Sequence, residues 1–357
     1  MKSEAGASQK TDIRTLSLDE LKQKFSDLGE ASYRAAQVYE WLWKKSARSI
    51  SAFTNLSVAL REALDKEFTI LPIETYKEQL SDDGTVKAAF RLHDHHLIEG
   101  VMIPADDRMT ACVSSQVGCS LTCAFCATGK LDRLRNLTAG EIYDQVVALD
   151  QTARKYHEHP LTNIVFMGMG EPLLNYRGVL EGIDRLTAPD GLNMSPKRIT
   201  VSTAGIAKMI KRLGDDAVRF NLALSLHAAN DEKRSQVMPI NDQNTLETLM
   251  DALQYFYQKT GNRITFEYLV FKDFNDTEED ALQLARYCGR IPARVNIIEY
   301  NHVDGVAFQQ TTPERLDRFI AVLERKGVNV HVRRSRGKDI DAACGQLANK
   351  LGDKGAA

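Results

Sequence analysis

The hydrophobic positions of this chain change their spacing twice, and each change marks a new kind of element. Between residues 13 and 75 they recur with helical spacing, and Ser17-Leu-Asp-Glu20 has the pattern of a capping box at a helix start. Two more amphipathic stretches follow at residues 32–43 and 56–68. We therefore predict a small N-terminal helical accessory domain over residues 13–75. The polar stretch before it, residues 1–12, is predicted to be a disordered tail.

The spacing then becomes strand-like over residues 76–109. Asp82-Asp-Gly84 is a hairpin turn signal between apolar stretches at 75–80 and 86–92, and a third such stretch covers 96–103. This pattern predicts an antiparallel β extension that links the helical domain to the rest of the chain.

After residue 109 apolar strands alternate with helical segments, which is typical of an α/β fold with a parallel sheet. Six βα units favour an incomplete (β/α)6 barrel over a closed eightfold one. The core should span 110–347, followed by a C-terminal tail at 348–357. Strands are predicted at 110–114, 163–167, 198–203, 219–226, 263–271 and 294–300, with a last one at 328–334.

Composition adds a cellular context. The chain has 357 residues, of which 43% are hydrophobic and 26% charged, as in an ordinary soluble protein. No stretch resembles a secretory signal or a membrane span, so we expect a cytoplasmic protein without membrane contact. A net charge of −2 means that any RNA contact must come from local basic patches. The candidates are Lys130, Arg133, Arg135, Arg333, Arg334, Arg336 and Lys338.

The candidate chemistry centres on cysteines. Cys119, Cys123 and Cys126 have the spacing C-x3-C-x2-C, and Cys112 lies just upstream. Three thiolates can hold a cubane iron–sulfur cluster and leave one iron open for a ligand. The alternative is a structural zinc site completed by Cys112. Zinc sites usually pair two separated C-x2-C knuckles, and only one is found here.

Other polar groups follow predicted strands. Gly168-Met-Gly170-Glu171, Ser202 and Ser225-Leu-His227 all lie where a strand ends. Glycine lets a backbone approach a ligand closely, and a carboxylate accepts hydrogen bonds from an ammonium group. Alternatively, the glycine-rich stretch at 168–171 is only a tight βα turn, and His227 is a strand-end histidine whose hydrogen bonds are satisfied within the core.

These residues together resemble a known family. The cysteine spacing with Phe125 before the last cysteine is similar to the radical S-adenosylmethionine (SAM) enzymes. CVSSQVGCSLTCAFCATG, FMGMGEPLLNY, VSTAGI, SLHA, MPIN and DIDAACGQL more narrowly resemble the RlmN type of adenine-C2 RNA methyltransferase. The resemblance runs from about Leu16 to Leu347.

The resemblance implies roles for individual residues. Cys119, Cys123 and Cys126 would hold a [4Fe–4S] cluster whose open iron binds SAM. Cys344 corresponds to the methyl-carrying cysteine, Cys112 to its resolving partner in a transient disulfide, and Glu99 to a proton acceptor. The implied SAM contacts are Gly170, Glu171, Ser202, Ser225, Leu226, His227 and Asn301.

The implied activity is methylation of C2 of adenine 2503 in 23S ribosomal RNA, with adenine 37 of some tRNAs as a further substrate. It uses two SAM molecules per turnover, an S-methylcysteine intermediate and a flavodoxin-type electron donor, and a monomer is expected. Two rivals stay open: the related enzyme that methylates C8 of the same adenine, and a non-catalytic zinc protein that binds RNA. Pro172 and Arg334-Ser-Arg-Gly337 resemble the C2 branch.

Overall fold

The structure is a computed structural model that describes residues 10–349. The predicted tails at 1–12 and 348–357 lie mostly outside that range. The first described residues are not a tail, because the first strand pairs in parallel with the second. Five elements form the N-terminal unit: β1 (Thr11–Asp12), α1 (Leu18–Asp27), α2 (Tyr33–Trp43), α3 (Val58–Glu67) and β2 (Phe68–Thr69).

The three predicted helices are confirmed, and the sequence shows why they begin where they do. The Ser17 side chain accepts a hydrogen bond from the backbone N–H of Glu20, and the Glu20 carboxylate accepts one from the backbone of Ser17. This reciprocal cap satisfies two N–H groups that the first helical turn leaves open. Trp43 is buried and meets Tyr143 of the larger unit edge to face, with ring centroids 5.2 Å apart.

A buried arginine joins the helical unit to the rest of the molecule. The Arg14 guanidinium lies 2.8 Å from Asp144 and 3.0 Å from Asp12, and it donates to the carbonyl of Leu71 at 2.8 Å. A buried charge is tolerated only where partners surround it in this way. The helical unit is therefore attached by a specific polar contact as well as by apolar packing.

One ten-stranded sheet forms the centre of the molecule, in the order β14-β13-β12-β11-β10-β9-β6-β5-β4-β3. Its antiparallel strands are β3 (Glu74–Leu80), β4 (Val86–Arg91) and β5 (Leu97–Ala105), and β6 (Arg108–Cys112) begins the parallel part. A separate two-stranded ladder, β7 (Gln116–Val117) with β8 (Arg135–Asn136), flanks the cysteine loop. The remaining parallel strands are β9 (Asn163–Phe166), β10 (Ile199–Thr203), β11 (Asn221–Ser225), β12 (Ile264–Val270), β13 (Ala293–Glu299) and β14 (Val330–Arg333).

Helices cover the parallel strands as the alternating pattern predicts. They are α4 (Ala139–His157), α5 (Tyr176–Thr187), α6 (Ala207–Asp215), α7 (Asp231–Val237), α8 (Leu246–Thr260), α9 (Glu278–Cys288) and α10 (Pro313–Arg325). The parallel strands pair in chain order from β6 to β14, and β14 and β3 lie at opposite ends of the sheet, so the barrel is open. The predicted α/β fold with an incomplete barrel is confirmed.

The antiparallel part differs from the expected linker. Val101 of β5 pairs with Cys112 of β6, and Cys112 pairs in parallel with Val165 of β9. The hairpin strands therefore continue the catalytic sheet, with no break between the two. The strand after the hairpin also runs past Pro104, which pairs with Met109. Consequently, residues on β4 and β5 lie beside the ends of the parallel strands.

Candidate active site

A cavity opens at the carboxyl ends of the parallel strands, where active sites of such folds are found. The cysteine loop between β7 and β8 forms one side of it, and the loops after β9, β10 and β11 form another. Cys344 and Gly345 close a third side. The predicted site residues that line the cavity are Cys119, Cys123, Cys126, Gly170, Glu171, Ser202, Ser225, His227 and Cys344.

Backbone hydrogen bonds shape the loop that presents the three clustered cysteines. Cys126 N–H donates to the Cys123 carbonyl at 3.2 Å, and Leu121 N–H donates to the Cys119 sulfur at 3.4 Å. Ala124 N–H donates to the carbonyl of Val237 at the end of α7, 2.9 Å away. The loop is therefore fixed from within and from the neighbouring helix.

Burial governs the acidity of these thiols. It raises the pKa of Cys119 to about 11 and raises the pKa values of Cys123 and Cys126 as well, with the neighbouring thiols adding to the shift at Cys123. A cationic metal centre reverses such shifts, because thiolates are the ligating form. Three partly buried thiols on one cavity wall thus suit a bound cluster better than three free groups.

The arrangement does not suit one zinc ion. Within residues 10–349, no three His, Cys, Asp or Glu side chains converge closely enough to ligate a single ion. A cubane cluster takes one thiolate on each of several irons, so its ligands need not converge on a point. The donor set fits a [4Fe–4S] cluster with Cys119, Cys123 and Cys126 as ligands.

Gly170 and Glu171 form the turn after β9. Gly170 has φ +92°, and a Cβ there would lie 2.5 Å from the Gln116 side chain, so only glycine fits. The buried Glu171 carboxylate accepts from Leu173 N–H at 2.9 Å and from Ala204 N–H at 2.7 Å. Burial raises the pKa of Glu171, and these backbone donors oppose the shift. Glu171 thus ties the loop after β9 to the loop after β10.

His227 follows β11 and is held in a defined protonation state. Its Nδ1 accepts a hydrogen bond from Leu269 N–H at 3.0 Å, and its ring meets Phe125 edge to face. Burial and the charge of Arg234 lower the pKa of His227 to about 3. The imidazole is therefore neutral near pH 7, with its proton on Nε2 as a possible donor to a ligand.

The two serines lie close together, whereas two other implied SAM contacts are set back. The hydroxyl oxygens of Ser202 and Ser225 are 3.4 Å apart. Leu226 is fully buried, and Asn301 donates to the Ser335 hydroxyl at 2.9 Å. Neither Leu226 nor Asn301 belongs to the lining of the cavity.

Cys344 and Cys112 are electrostatic neighbours, although they are far apart in sequence. Burial, followed by the negative charge of Cys344, raises the pKa of Cys112 to about 12, and Arg333 opposes the shift. The six cysteines are all free thiols, so the implied disulfide is absent in the described state. Cys344 lines the cavity, while Cys112 lies just behind it at the end of β6.

Arg333, which we expected to contact RNA phosphates, is partnered by a carboxylate at the cavity. Its guanidinium lines the cavity and lies 3.5 Å from the Glu267 carboxylate. Burial disfavours its charge, but the negative charges of Cys344 and Glu267 outweigh this and raise the pKa of Arg333.

Three other predicted phosphate contacts also have partners within the protein. The charge of Arg135 is balanced by Asp94 at 2.5 Å and Glu141 at 2.8 Å. Lys130 and Lys338 contact the Asp304 carbonyl and Glu299.

Glu99 is buried in β5, outside the lining of the cavity. Its Oε2 accepts from the backbone N–H groups of Ala348 at 2.9 Å and Asn349 at 3.3 Å. Its Oε1 lies 3.8 Å from Lys87 Nζ.

Two charged residues near the cavity escaped the sequence reasoning. Glu267 of β12 lines it, and Arg234 of α7 is fully buried beside it. Arg234 donates to the carbonyls of Ala204, Ser225 and Leu226 and to the Asn241 side chain. The only available signal was an arginine just before the MPIN motif that contains Asn241.

Comparison with known proteins agrees with this geometry. Residues 113–285 match the Radical SAM superfamily, and residues 11–70 match the ribosomal RNA large subunit methyltransferase N-terminal domain. A relative from Cytophaga hutchinsonii, named "Probable dual-specificity RNA methyltransferase RlmN", is 58% identical over 95% of this chain and 93% of its own length. The chain belongs to the RlmN family of radical SAM RNA methyltransferases.

Other members of the family extend the likeness. The "Dual-specificity RNA methyltransferase RlmN" of Anaeromyxobacter sp. strain Fw109-5 is 44% identical over 96% of this chain and 91% of its own. The crystal structure of a radical SAM methyltransferase from Sphaerobacter thermophilus superposes with a TM-score of 0.88 at 40% identity, covering 94% of this chain and 99% of that one. Like its family, this RlmN-type protein is an enzyme of the methyltransferase class. Along residues 10–349, no helix is long and apolar enough to cross a membrane.

Proposed function

We propose that this RlmN-type enzyme methylates C2 of adenine 2503 in 23S ribosomal RNA, and C2 of adenine 37 in some tRNAs. The observation that carries the proposal is the placement of Cys344. It lies on the same cavity as the three cluster cysteines, next to Cys112 and Arg333. Adenine C2 is electron-poor, so a methyl group is delivered to it through a protein sulfur.

Cys344 acts first, as a nucleophile towards SAM. Its thiolate takes the methyl group of one SAM, forming an S–C bond while the sulfonium carbon–sulfur bond breaks with its electron pair on the departing thioether. Arg333 lines the same cavity as Cys344 and supplies it with a positive charge. The product is S-methylcysteine at position 344.

Cys119, Cys123 and Cys126 would hold the cluster, which when bound would supply the radical cleavage of a second SAM that removes one hydrogen atom from the methyl group on Cys344. The Cys344-borne carbon would then bond to C2 of the adenine, and this adduct would lose the C2 proton and return one electron to the oxidised cluster. Cys112 attacks the Cys344 sulfur. The S–C bond breaks with its electron pair on carbon, which takes a proton, and the resulting disulfide is reduced by cellular thiols.

SAM binding falls to the strand ends. The space beside the cysteine loop is surrounded by five of the residues proposed to bind SAM: Gly170, Glu171, Ser202, Ser225 and His227. Leu226 and Asn301 are buried outside the cavity lining and support these residues from behind. An adenine in an RNA loop suits such a cavity, since it can be unstacked at a cost of a few kcal/mol. We propose a monomeric cytoplasmic enzyme, served by a flavodoxin-type electron donor.

The test is mass spectrometry of the Cys344 peptide after anaerobic purification, combined with two variants. An S-methyl group is expected on Cys344, and Cys344→Ala should abolish RNA methylation while the iron content stays unchanged. Cys112→Ala should trap RNA crosslinked to the protein. Methylated RNA from Cys344→Ala, or no crosslink with Cys112→Ala, contradicts the scheme. Mapping the product methyl to C8 would assign the chain to the related C8 enzymes.

The cluster has its own control. Cys123→Ala should lose bound iron and the brown colour of a cluster, whereas Cys288→Ala should retain both. Cys288 is also a buried free thiol, but it lies in α9, outside the cavity lining. Equal iron contents in the two variants would contradict the ligand assignment.

A further inference from the structure

The stretch that carries Cys344 crosses from the cysteine loop to the antiparallel strands. We call residues 337–349 the Cys344 segment. On one side, Ala127 N–H donates to the Gly345 carbonyl at 2.8 Å, and the Thr128 hydroxyl donates to the Leu347 carbonyl at 2.7 Å. These contacts place Cys344 directly beside the loop that holds the cluster cysteines.

On the other side, the segment reaches β5 and ends on one carboxylate. Glu99 Oε2 accepts the backbone N–H groups of both Ala348 and Asn349, at 2.9 and 3.3 Å. The Asn349 side-chain amide adds a hydrogen bond to the Leu97 carbonyl at 2.7 Å. Two amides converging on one carboxylate oxygen make a strong, directional contact.

A buried lysine completes this arrangement. Lys87 and Glu99 have side chains only 4% and 1% exposed, and their charged atoms are 3.8 Å apart. Lys87 Nζ also approaches the Asp341 carbonyl at 3.4 Å, three residues before Cys344. The pair therefore contacts the segment on both sides of Cys344, at residue 341 and at residues 348–349.

We propose that Glu99 and Lys87 are positioning residues that dock the Cys344 segment on β4 and β5 and so hold Cys344 at the cavity. The cost of burying two charges is offset by their mutual attraction and by the backbone groups of the segment. The effect on Cys344 chemistry rests on the proposed function, whereas the docking itself does not.

This role competes with that of a proton acceptor. A base must present a carboxylate oxygen to the substrate. Here Oε2 is engaged by two amides, and Oε1 is buried opposite Lys87. Glutamine separates the two roles, because its carbonyl oxygen can accept the same backbone N–H groups but cannot take up a proton at neutral pH.

The first measurement is hydrogen exchange on the RNA-free holoenzyme. Glu99→Ala should speed exchange at the amides of residues 348 and 349 about tenfold or more, because it removes charge-assisted hydrogen bonds. Glu99→Gln should speed it by less than about threefold. Glu78→Gln is the matched control, since that carboxylate on β3 contacts Thr152 and Lys155 of α4. It should leave exchange in the segment unchanged.

The second measurement is the S-methyl content of Cys344 in the same preparations, with the RNA adduct followed on gels. Glu99→Ala should lower S-methylation, and Glu99→Gln should restore most of it without accumulating an adduct. Asn349→Ala should loosen the same end of the segment without disturbing the buried pair, and it provides the test if Glu99→Ala does not fold.

The outcomes are distinguishable. Unchanged exchange at 348 and 349 in Glu99→Ala and Asn349→Ala overturns the docking role. Faster exchange in these variants together with normal S-methylation would show that docking of the segment does not matter for the chemistry of Cys344. Accumulation of adduct in Glu99→Gln overturns the positioning role in favour of a proton acceptor. A wild-type protein that lacks S-methylcysteine refutes the proposed function instead, and the exchange result still decides on docking.

Discussion

The cavity has two sides that are held in different ways. The strand-end side rests on the parallel ladder from β9 to β12 and on Arg234, whose guanidinium joins the loops after β10 and β11. The Cys344 segment has one short 3-10 turn, Lys338–Ile340, and is otherwise held by single hydrogen bonds, most of which involve a side chain. The strand-end side is part of the core, whereas the Cys344 segment lies across that core.

This difference separates two tasks. A cofactor site benefits from groups fixed by the sheet, because each reorganisation would cost binding energy. In the proposed mechanism Cys344 meets SAM first and an RNA base later, which suits a segment whose contacts can be exchanged singly. Substitutions on the strand-end side should therefore lower the stability of the whole fold, whereas substitutions on the Cys344 segment should disturb only that segment.

The largest effect is expected from Arg234→Met. It leaves the carbonyls of Ala204, Ser225 and Leu226 without their donor, although the side-chain volume is nearly kept. We expect a loss of ~3 kcal/mol in the free energy of unfolding, with weaker SAM binding, measured by urea denaturation and calorimetric titration.

Arg290→Met is the matched control for that variant. Arg290 pairs with Glu247 at the surface, where an ion pair contributes ~0.5 kcal/mol or less. Equal losses of stability in the two variants would contradict a structural role for Arg234 at the cavity.

A smaller, pH-dependent effect is expected from His227→Asn. The pKa of His227 is lowered from 6.5 to about 3, so between these values the unfolded chain binds a proton that the folded protein does not. Stability contributed by neutral His227 is therefore present above pH 6.5 and lost as the pH falls towards 3. Asparagine tolerates the left-handed backbone at this position, where φ is +57°.

The measurement is thermal unfolding across that pH range. Wild type should lose stability more steeply than His227→Asn, by up to ~1 kcal/mol per pH unit. Parallel curves for the two proteins would show that His227 is not held neutral by the fold.

The smallest effect is expected from Ser81→Ala, on the segment side. The Ser81 hydroxyl donates to Asp339 at 2.6 Å, near the start of the Cys344 segment. The hydroxyl also accepts a longer hydrogen bond from Asp83 N–H at 3.3 Å. Loss of these two half-buried bonds should cost ~1 kcal/mol and speed exchange only near residues 83 and 339. A global loss of stability as large as that of Arg234→Met would erase the distinction between the two sides.

The strand and helix pattern could be predicted because local chemistry sets it. Ser17 and Glu20 form the predicted capping box of α1. Thr138 and Glu141 form a second box at the start of α4, and Thr312 caps α10 with Pro313 in the first turn. The parallel strands also coincide with the predicted apolar stretches, since a strand buried on both faces is apolar throughout. Such signals lie within a few residues of each other.

Contacts between distant parts of the chain could not be predicted in this way. Nothing in the sequence near Arg333 distinguishes a surface phosphate contact from a partner of Glu267, 66 residues earlier. The same holds for β5, whose pairing with β6 makes the hairpin part of the catalytic sheet. The neighbours of Glu99 and Arg234 depend on that tertiary arrangement, and periodicity carries no information about it.

The Cys344 segment also has a consequence for the order of folding. Its contacts with Ser81, Lys87 and Glu99 join residues 249 to 258 positions apart. Closing so long a loop costs entropy that only a finished docking surface offsets, so the sheet must form before the segment settles on it. We therefore expect the docking of the Cys344 segment, which completes the cavity, to be among the last steps of folding.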